Sequence, residues 1–161
     1  MRFHHMAIFV ADLQQAIHLW RDVLGFNLDV QKEIPDGTTD DPDVLCSTKL
    51  LEDTVKVRGA RSKMALLSSD EGALIELQQF EVPQIRLTPP ERLRHSDTGI
   101  HELGLQVENI DELFEKIRAA GYETQTDYVW KSGEIGRSFL FYDGEGNMIQ
   151  LYEHGKTAGW V

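Results

Sequence analysis

The same pattern of residues occurs twice along the chain, and this repeat restricts the fold more than any other feature of the sequence. Residues 5–26, HMAIFVADLQQAIHLWRDVLGF, resemble residues 102–122, ELGLQVENIDELFEKIRAAGY. Each segment begins with residues that alternate as in a β-strand, continues with apolar residues at helical spacing and ends at a glycine. Residues 63–80 align with residues 137–154 without a gap, and both read as a β-hairpin. The sequence therefore predicts two copies of one unit, in which a strand, a helix and a strand precede a hairpin.

Both predicted helices start with a pattern that favours a helix N-terminus. Asp12 is followed three residues later by Gln15, and Asn109 is followed three residues later by Glu112. In such a capping box the first side chain accepts a hydrogen bond from the backbone, and the second reaches back to the cap residue. We therefore expect Asp12 and Asn109 to cap the two helices.

The first half contains an insertion, residues 34–62, that the second half lacks. An insertion of this length in a compact domain is either a functional lid or poorly ordered. Within it, the stretch DDPDVLCSTKLL is suited to a short helix, with Asp41 as its cap and Pro42 at its first position.

We expect the two copies to share one domain, residues 1–161, because the chain is short enough for a single core. The first module covers about 1–80 and contains the insertion. Residues 81–98 are rich in proline and read as the connection, and the second module covers about 99–154.

Charge and composition exclude several classes of partner. The formal net charge of −11 repels phosphate backbones, which disfavours nucleic acid as a partner. No apolar run approaches the roughly 20 residues that cross a bilayer, and the first residues lack the pattern of a signal peptide. The one cysteine, Cys46, rules out an intramolecular disulfide, so nothing requires an oxidising compartment. We expect a cytoplasmic protein that binds neither nucleic acid nor membranes.

The alternation of the four matched strands predicts one apolar and one mixed face on each sheet. We expect the apolar faces to pack under the helices. The repeat places His5 at the position of Glu102 and Glu76 at the position of Gln150, all on the mixed faces. If the two halves close into one cup, these four side chains converge on its floor. Imidazole, carboxylate and amide groups are all metal ligands.

The segments HMAIFVADLQQAIHLWRDVLGF and FYDGEGNMIQLYE closely resemble the opening strand and helix, and the closing hairpin, of the vicinal oxygen chelate superfamily. This superfamily includes glyoxalase I, methylmalonyl-CoA epimerase, bleomycin and fosfomycin resistance proteins, and extradiol dioxygenases. The resemblance covers nearly the whole chain except the insertion. It implies an α+β fold in which two βαβββ modules form a cupped mixed sheet with helices on its outer face. It also implies a homodimer and a divalent metal ion bound by His5, Glu76, Glu102 and Gln150.

The implied ligand set differs from that of many members of the superfamily, which have His in place of Glu102 and Glu in place of Gln150. One imidazole with two carboxylates and an amide oxygen is a hard set, and it suits Mn, Mg, Co, Ni or Zn more than redox iron. His101 is the alternative to Glu102 if a β-bulge reverses the alternation of the strand. The alternation as it stands favours Glu102.

Two of the four residues also have a purely structural interpretation. An unpaired buried carboxylate is costly, so Glu76 requires a partner, and the alternative to a metal is an ion pair with Arg58 or Arg61. A buried amide such as that of Gln150 is also satisfied by hydrogen bonds to the backbone.

We favour an isomerase or lyase of the glyoxalase or epimerase type, acting on a small carbonyl substrate through a metal-stabilised enolate. Glu102 is the favoured catalytic base, and Glu76 is the alternative. Apolar residues of the mixed faces and the insertion point to a substrate with an apolar or aromatic part: Phe9, Leu74, Met148, Val44 and Leu45.

Two other functions remain open. The first is a non-catalytic protein that binds a small molecule or a cationic antibiotic, which the acidic charge favours. The second is an extradiol dioxygenase, which requires His101 to be a ligand in place of Glu102.

Overall fold

Both copies of the repeated sequence fold in the same way in the computed structural model, which describes residues 2–38 and 43–155. The chain divides into unit 1, Met1–Leu87, and unit 2, Thr88–Val161. Each unit contains a strand, a helix and three further strands, which form a four-stranded mixed sheet. The predicted α+β fold class with two βαβββ modules is confirmed.

Unit 1 has the strand order β1-β4-β3-β2. Its strands are β1 (Met6–Phe9), β2 (Asn27–Ile34), β3 (Arg61–Ser68) and β4 (Leu74–Val82). The helix α1 (Leu13–Ile17) continues as wider helical turns over His18–Val23, and a second helix, α2 (Thr48–Val55), lies between β2 and β3. The first strand is parallel to the last, whereas the other pairs are antiparallel.

Unit 2 repeats this order as β5-β8-β7-β6. Its elements are β5 (Glu102–Gln106), α3 (Ile110–Ala119), β6 (Trp130–Ser132), β7 (Gly136–Tyr142) and β8 (Met148–His154). Residues 133–135 connect β6 to β7, where unit 1 has residues 35–60, so the insertion is confined to this one connection. No helix within the described parts of the chain is both long and apolar enough to cross a membrane.

The parallel pairs of the two units have the same register. Ala7 lies opposite Glu76 in the first pair, and Gly104 lies opposite Gln150 in the second. The alignment of residues 63–80 with residues 137–154 places Glu76 at the position of Gln150, and the observed pairing agrees with it. The apolar faces are buried under the helices as predicted, together with Trp20 on the helical segment of unit 1 and Phe114 on α3. On the last strands the apolar residues are at most 2% exposed, whereas those of β1 and β5 are half-buried. These deeply buried residues are Ile75, Leu77, Ile149 and Leu151.

The predicted helix caps are half right. Asp12 caps α1, because its carboxylate accepts hydrogen bonds of 3.0 Å from the backbone N–H groups of Gln14 and Gln15. The prediction for Asn109 is wrong, since its side chain makes no capping hydrogen bond. The first N–H of α3, that of Ile110, instead donates to the Glu153 carboxylate of β8 at 3.2 Å.

Unit 1 contains the same contact between the last strand and the first helix. The backbone N–H of Leu13 donates to the side-chain oxygen of Gln79 on β4 at 3.0 Å. Gln79 and Glu153 occupy equivalent positions of the two hairpins. A polar side chain of the last strand therefore satisfies the first N–H of the helix in each module.

The described part of the insertion contains the predicted helix, with a later start. Asp41 and Pro42 lie outside the described residues. The helix α2 begins at Thr48, and Ser47 caps it by accepting a hydrogen bond of 3.2 Å from the N–H of Leu50.

We expect Gln79→Ala and Glu153→Ala each to lower the free energy of unfolding by about 1 kcal/mol, because each leaves the first N–H of a helix without its acceptor. Glu112→Ala is the matched control. A capping box at Asn109 would make this control equally harmful, whereas Glu112 is exposed and caps nothing in the structure. Urea unfolding of the three variants measures the difference, and equal losses for Glu112→Ala and Glu153→Ala would contradict the assignment.

Candidate functional site

A contact between His5 and Glu76 forms the floor of the candidate site in unit 1. His5 directly precedes β1, and Glu76 lies on β4, which pairs with β1. His5 Nε2 lies 3.3 Å from Glu76 Oε2, and Gln78 donates to Glu76 Oε1 at 2.6 Å. The side chain of Glu76 is 20% exposed and that of His5 is 40% exposed. The parallel pairing of the first and last strands therefore brings together two of the four predicted ligands.

The other nitrogen of the His5 ring is also engaged. His4 Nδ1 and His5 Nδ1 lie 2.8 Å apart, so one ring donates a hydrogen bond to the other. Such a contact orients an imidazole and selects its tautomer. When His4 accepts, the proton of His5 is on Nδ1 and Nε2 keeps its lone pair. His4 thus acts on the orientation of His5, a role that the sequence did not indicate.

The partner of Glu76 is not an arginine. Arg61 lies 3.7 Å and Lys63 lies 3.2 Å from the carboxylate of Glu81, and neither contacts Glu76. Arg58 is exposed and forms no ion pair in the described parts of the chain. The alternative interpretation of Glu76, an ion pair with Arg58 or Arg61, is therefore wrong.

Unit 2 presents Glu102 and Gln150 at the equivalent positions. Glu102 is the first residue of β5 and is exposed, and it forms no hydrogen bond or ion pair with any described residue. Gln150 lies on β8 opposite Gly104, and a Cβ added at Gly104 would lie 3.9 Å from Gln150 Oε1. The glycine leaves this amide oxygen without a side chain over it.

His101 differs from Glu102 in both position and surroundings. It precedes β5, and both nitrogens of its ring are buried without a hydrogen-bond partner in the described residues. The pairing of β5 with β8 runs without a bulge from Glu102 to Gln106. Glu102 therefore has the strand position that corresponds to His5.

Each unit presents two potential metal donors. Unit 1 has an imidazole nitrogen and a carboxylate, and unit 2 has a carboxylate and an amide oxygen, all of which divalent ions accept as ligands. Among residues 2–38 and 43–155, no group of three or more His, Cys, Asp or Glu side chains is placed to hold a metal ion. The donor chemistry fits a divalent ion, and the two donors of unit 1 are in direct contact.

A cavity of about 740 Å³ opens above His5 and Glu76 in unit 1. One wall is the sheet, with Phe9 and Phe80, and the opposite wall is α2 of the insertion, with Leu50 and Val55. Most of the residues around the cavity are apolar. Sites for small molecules typically combine an apolar lining with a few polar groups in this way.

The insertion forms this wall because it packs on the mixed face of the sheet. Leu51 of α2 is buried in a cluster with Ile34, Ala60 and Met64, and Val55 packs against it. The mixed face of unit 1 is therefore half covered by the insertion and half open at His5 and Glu76. The alternatives for the insertion were a functional lid and a poorly ordered segment, and its described residues cover part of the cavity as a lid would.

One carboxylate fastens the start of the insertion to β2. Asp36 accepts hydrogen bonds from Lys32 Nζ at 2.8 Å and from the backbone N–H groups of Cys46 at 2.8 Å and Leu45 at 3.2 Å. These contacts hold the pKa of Asp36 well below its ordinary value of 3.8, with the Lys32 hydrogen bond as the largest cause.

Several residues of the site escaped the sequence analysis. Gln78, Phe80 and Cys46 line the cavity, but none carries a motif. Gln78 and Phe80 continue the alternation of Glu76 along β4, so a longer reading of that strand would have found them. Cys46 gives no such signal, because its place depends on the fold of the insertion.

The sequence model of the Glyoxalase/Bleomycin resistance protein/Dioxygenase superfamily matches residues 2–151. A 2-epi-5-epi-valiolone epimerase from Actinomyces sp. is 30% identical to the chain over 119 residues. That alignment covers 72% of this chain, and it spans only 57% of the length of the epimerase.

Solved structures share the fold at low sequence identity. A glyoxalase family protein from Bacillus cereus superposes with a TM-score of 0.79 at 20% identity, covering 96% of this chain and 94% of that one. A variant of the fosfomycin resistance protein FosX from Listeria monocytogenes, in complex with Mn(II) and 1S,2S-dihydroxypropylphosphonic acid, superposes with a TM-score of 0.61 at 15% identity. The match covers 99% of this chain and 94% of FosX.

We expect Asp36→Asn to destabilise the protein at neutral pH, and the difference from wild type to shrink in acid. Because the pKa of Asp36 is lower in the folded than in the unfolded state, its ionised carboxylate stabilises the fold at pH values above the unfolded pKa of 3.8. This stabilisation is lost as the pH falls below 3.8 towards the folded pKa. Urea unfolding of both proteins between neutral pH and pH 3 measures the difference. Asp29→Asn, an exposed site on β2, is the control. A difference that does not change with pH would contradict the assigned role.

Cys46 reports directly on the docking of the insertion, because it is the one thiol of the chain. Burial raises its pKa, and the nearby carboxylates of Asp36 and Glu76 raise it further. We expect the folded protein to react slowly at neutral pH with a chromogenic aromatic disulfide. The thiolate is the reactive form, and a raised pKa leaves little of it. Asp36→Asn should accelerate the reaction several-fold. Equal rates in both proteins would show that Asp36 does not hold this segment.

Proposed function

We propose that this chain, which belongs to the Glyoxalase/Bleomycin resistance protein/Dioxygenase superfamily, is a metal-dependent isomerase of the epimerase type that moves a proton at the carbon next to a carbonyl group. The observation that carries the proposal is the 3.3 Å contact between His5 and Glu76 at the floor of a cavity. A histidine and a carboxylate in contact at the floor of a cavity are candidates for acid–base or metal-binding roles. The epimerase from Actinomyces sp. supports this reaction class.

We assign a divalent metal ion, Mn, Ni, Co, Zn or Mg, to His5, Glu76, Glu102 and Gln150. When bound, such an ion would polarise the carbonyl oxygen of the substrate and make the adjacent C–H bond more acidic. The four residues occupy equivalent positions of the two modules, at the start of the first strand and on the last strand, and this equivalence supports the assignment.

The two carboxylates of the set have different surroundings, and this suggests different roles. Glu76 already accepts a hydrogen bond from Gln78 and contacts His5, so its oxygens are held in place. Glu102 has no such partner within the described residues and is free to turn. We therefore assign a holding role to Glu76. To Glu102 we assign proton abstraction, for which this carboxylate would either dissociate from the metal or stay within reach of it.

The proton balance of the reaction closes without a further reactant. The Glu102 carboxylate takes the proton from the carbon next to the carbonyl, and the electron pair of that C–H bond moves towards the carbonyl oxygen. A water molecule on the opposite face can return a proton to the same carbon, which inverts its configuration, and Glu102 then releases its proton to water. No oxidant or reductant is consumed.

A non-catalytic small-molecule binding protein is the second candidate. The apolar lining of the cavity favours this candidate, because such a lining binds a ligand whether or not a reaction follows. An extradiol dioxygenase has less support, because Glu102 rather than His101 has the strand position of His5. The predicted homodimer and cytoplasmic location stay predictions.

Deuterium exchange tests the reaction class with a panel of compounds rather than with one chosen substrate. The protein, reconstituted with each of the five metals, is incubated in D₂O with a series of hydroxy ketones and branched acyl thioesters, and NMR follows the proton next to the carbonyl. We expect exchange with at least one compound, and Glu102→Gln should slow it by roughly 100-fold or more. Glu108→Gln, an exposed neighbour, is the control. Absence of exchange throughout, or an unaffected Glu102→Gln variant, would overturn the proposal.

Elemental analysis tests the metal ligands separately. We expect one divalent ion per chain in the reconstituted protein, and a clear loss in His5→Ala and Glu76→Ala because each removes a donor. His18→Ala is the matched control, since His18 is exposed and pairs with Asp22 instead. The assignment fails if wild type takes up no metal, or if His18→Ala loses as much as His5→Ala.

A further inference from the structure

Two large apolar side chains at the cavity of unit 1 face solvent without serving the core. Phe9 on β1 is 59% exposed and Leu50 on α2 is 49% exposed, and both line the cavity. The ring of Phe9 meets that of Phe80, another lining residue, edge-to-face at a centroid distance of 5.2 Å. Neighbouring apolar groups left open on opposite walls of one cavity favour a ligand with an apolar body.

Most of the polar groups around the cavity are already satisfied by the protein. The hydroxyl of Thr54 donates within α2 to the carbonyl groups of Leu50 and Leu51, at 2.9 and 3.0 Å. The amide of Gln78 donates to Glu76. The walls of the cavity thus offer few free hydrogen-bonding groups, and a ligand rich in hydroxyl groups would lose its hydration there without compensation.

Two lining residues are exceptions, Gln84 and Arg86, and the charged one is Arg86. It lies on the segment that follows β4, and it forms no ion pair or hydrogen bond with any described residue. The nearby basic side chains of β3 differ, because Arg61 and Lys63 both pair with Glu81. Arg86 is therefore an uncompensated cation at the cavity of a chain whose formal net charge is −11.

We infer that this cavity binds an organic anion with a hydrocarbon or aromatic body, its anionic group paired with Arg86 and its body lying between α2 and the rings of Phe9 and Phe80. If the proposed function holds, this anion is the substrate, and the polar end of its body reaches His5 and Glu76. Unit 2 has only residues 133–135 in place of the insertion, so this subsite belongs to unit 1 alone. Arginine suits such an anion because its planar fork matches an oxyanion.

Two fluorescent probes of nearly the same shape test the inference. Anilinonaphthalene sulfonate has an aromatic body and one anionic group, and N-phenylnaphthylamine has the same body without the anion. Titration of the metal-free full chain with each probe measures the dissociation constants. We expect the anionic probe to bind more tightly, and Arg86→Ala to weaken it about tenfold while leaving the neutral probe unchanged.

Three variants complete the test. Leu50→Gln and Phe9→Ala should each weaken both probes several-fold because they remove opposite apolar walls, and both sites are exposed enough to be replaced without loss of the fold. Arg58→Ala is the matched control, since Arg58 is exposed, unpaired in the described residues and outside the cavity. Thermal unfolding confirms that each variant is folded at the temperature of the titration.

Three results would overturn the inference: equal affinity of the wild type for both probes, an equal effect of Arg58→Ala and Arg86→Ala, or no effect of either wall variant. The titration needs neither metal nor turnover. Binding with the expected pattern in a protein that shows no deuterium exchange would leave the subsite standing and overturn the epimerase alone. Deuterium exchange in a protein that lacks the expected probe binding would overturn the subsite and leave the epimerase standing.

Discussion

The parallel pairing of the first and last strands of each module is the constraint on which the site depends. In an α+β unit of this order the two strands are far apart in sequence, yet their pairing places Ala7 beside Glu76 and Gly104 beside Gln150. Because side chains alternate along a strand, one register decides both which residues pack under the helix and which remain on the open face. A slip of one residue would bury Glu76 under α1 and expose Leu77. The apolar core of each module therefore holds the polar residues of the other face in place.

The strands and helix ends were predictable from the sequence because their signals are local, whereas contacts between residues far apart in the chain were less predictable. Strand alternation and the terminal glycines are local signals, and the left-handed conformations of Gly25 and Gly121 agree with their predicted role at helix ends. The cap of α3 is different, because its acceptor is Glu153, far along the chain, rather than Asn109. A capping box is recognised from neighbouring residues alone. An acceptor from a distant strand can take over the capping role while the sequence pattern of the box stays the same. Only the equivalence of Gln79 and Glu153 in the repeat, both polar on an otherwise apolar face, hinted at this contact.

In the candidate site too, the residues on the strands were predictable from the sequence, whereas the surroundings that depend on distant contacts were not. The four residues taken from the repeat lie at equivalent strand positions, and two of them, His5 and Glu76, are in contact. The cavity above them was beyond prediction, because it depends on where the insertion docks. That docking combines an apolar cluster around Leu51 with the hydrogen bonds of Asp36 to Lys32 and to the backbone near Cys46. The insertion thereby converts an open sheet face into a walled cavity, whose lining also includes Arg86 of the segment after β4.

Anomalous diffraction tests most directly the central proposal, that four side chains of the two modules bind one divalent ion. Crystals of the protein would be grown with Mn²⁺, and diffraction would be measured at the manganese absorption edge. We expect one strong anomalous peak per chain, within coordination distance of His5 Nε2 and of oxygens from Glu76, Glu102 and Gln150. A peak elsewhere on the acidic surface, or a peak that His101 binds in place of Glu102, would contradict the proposal.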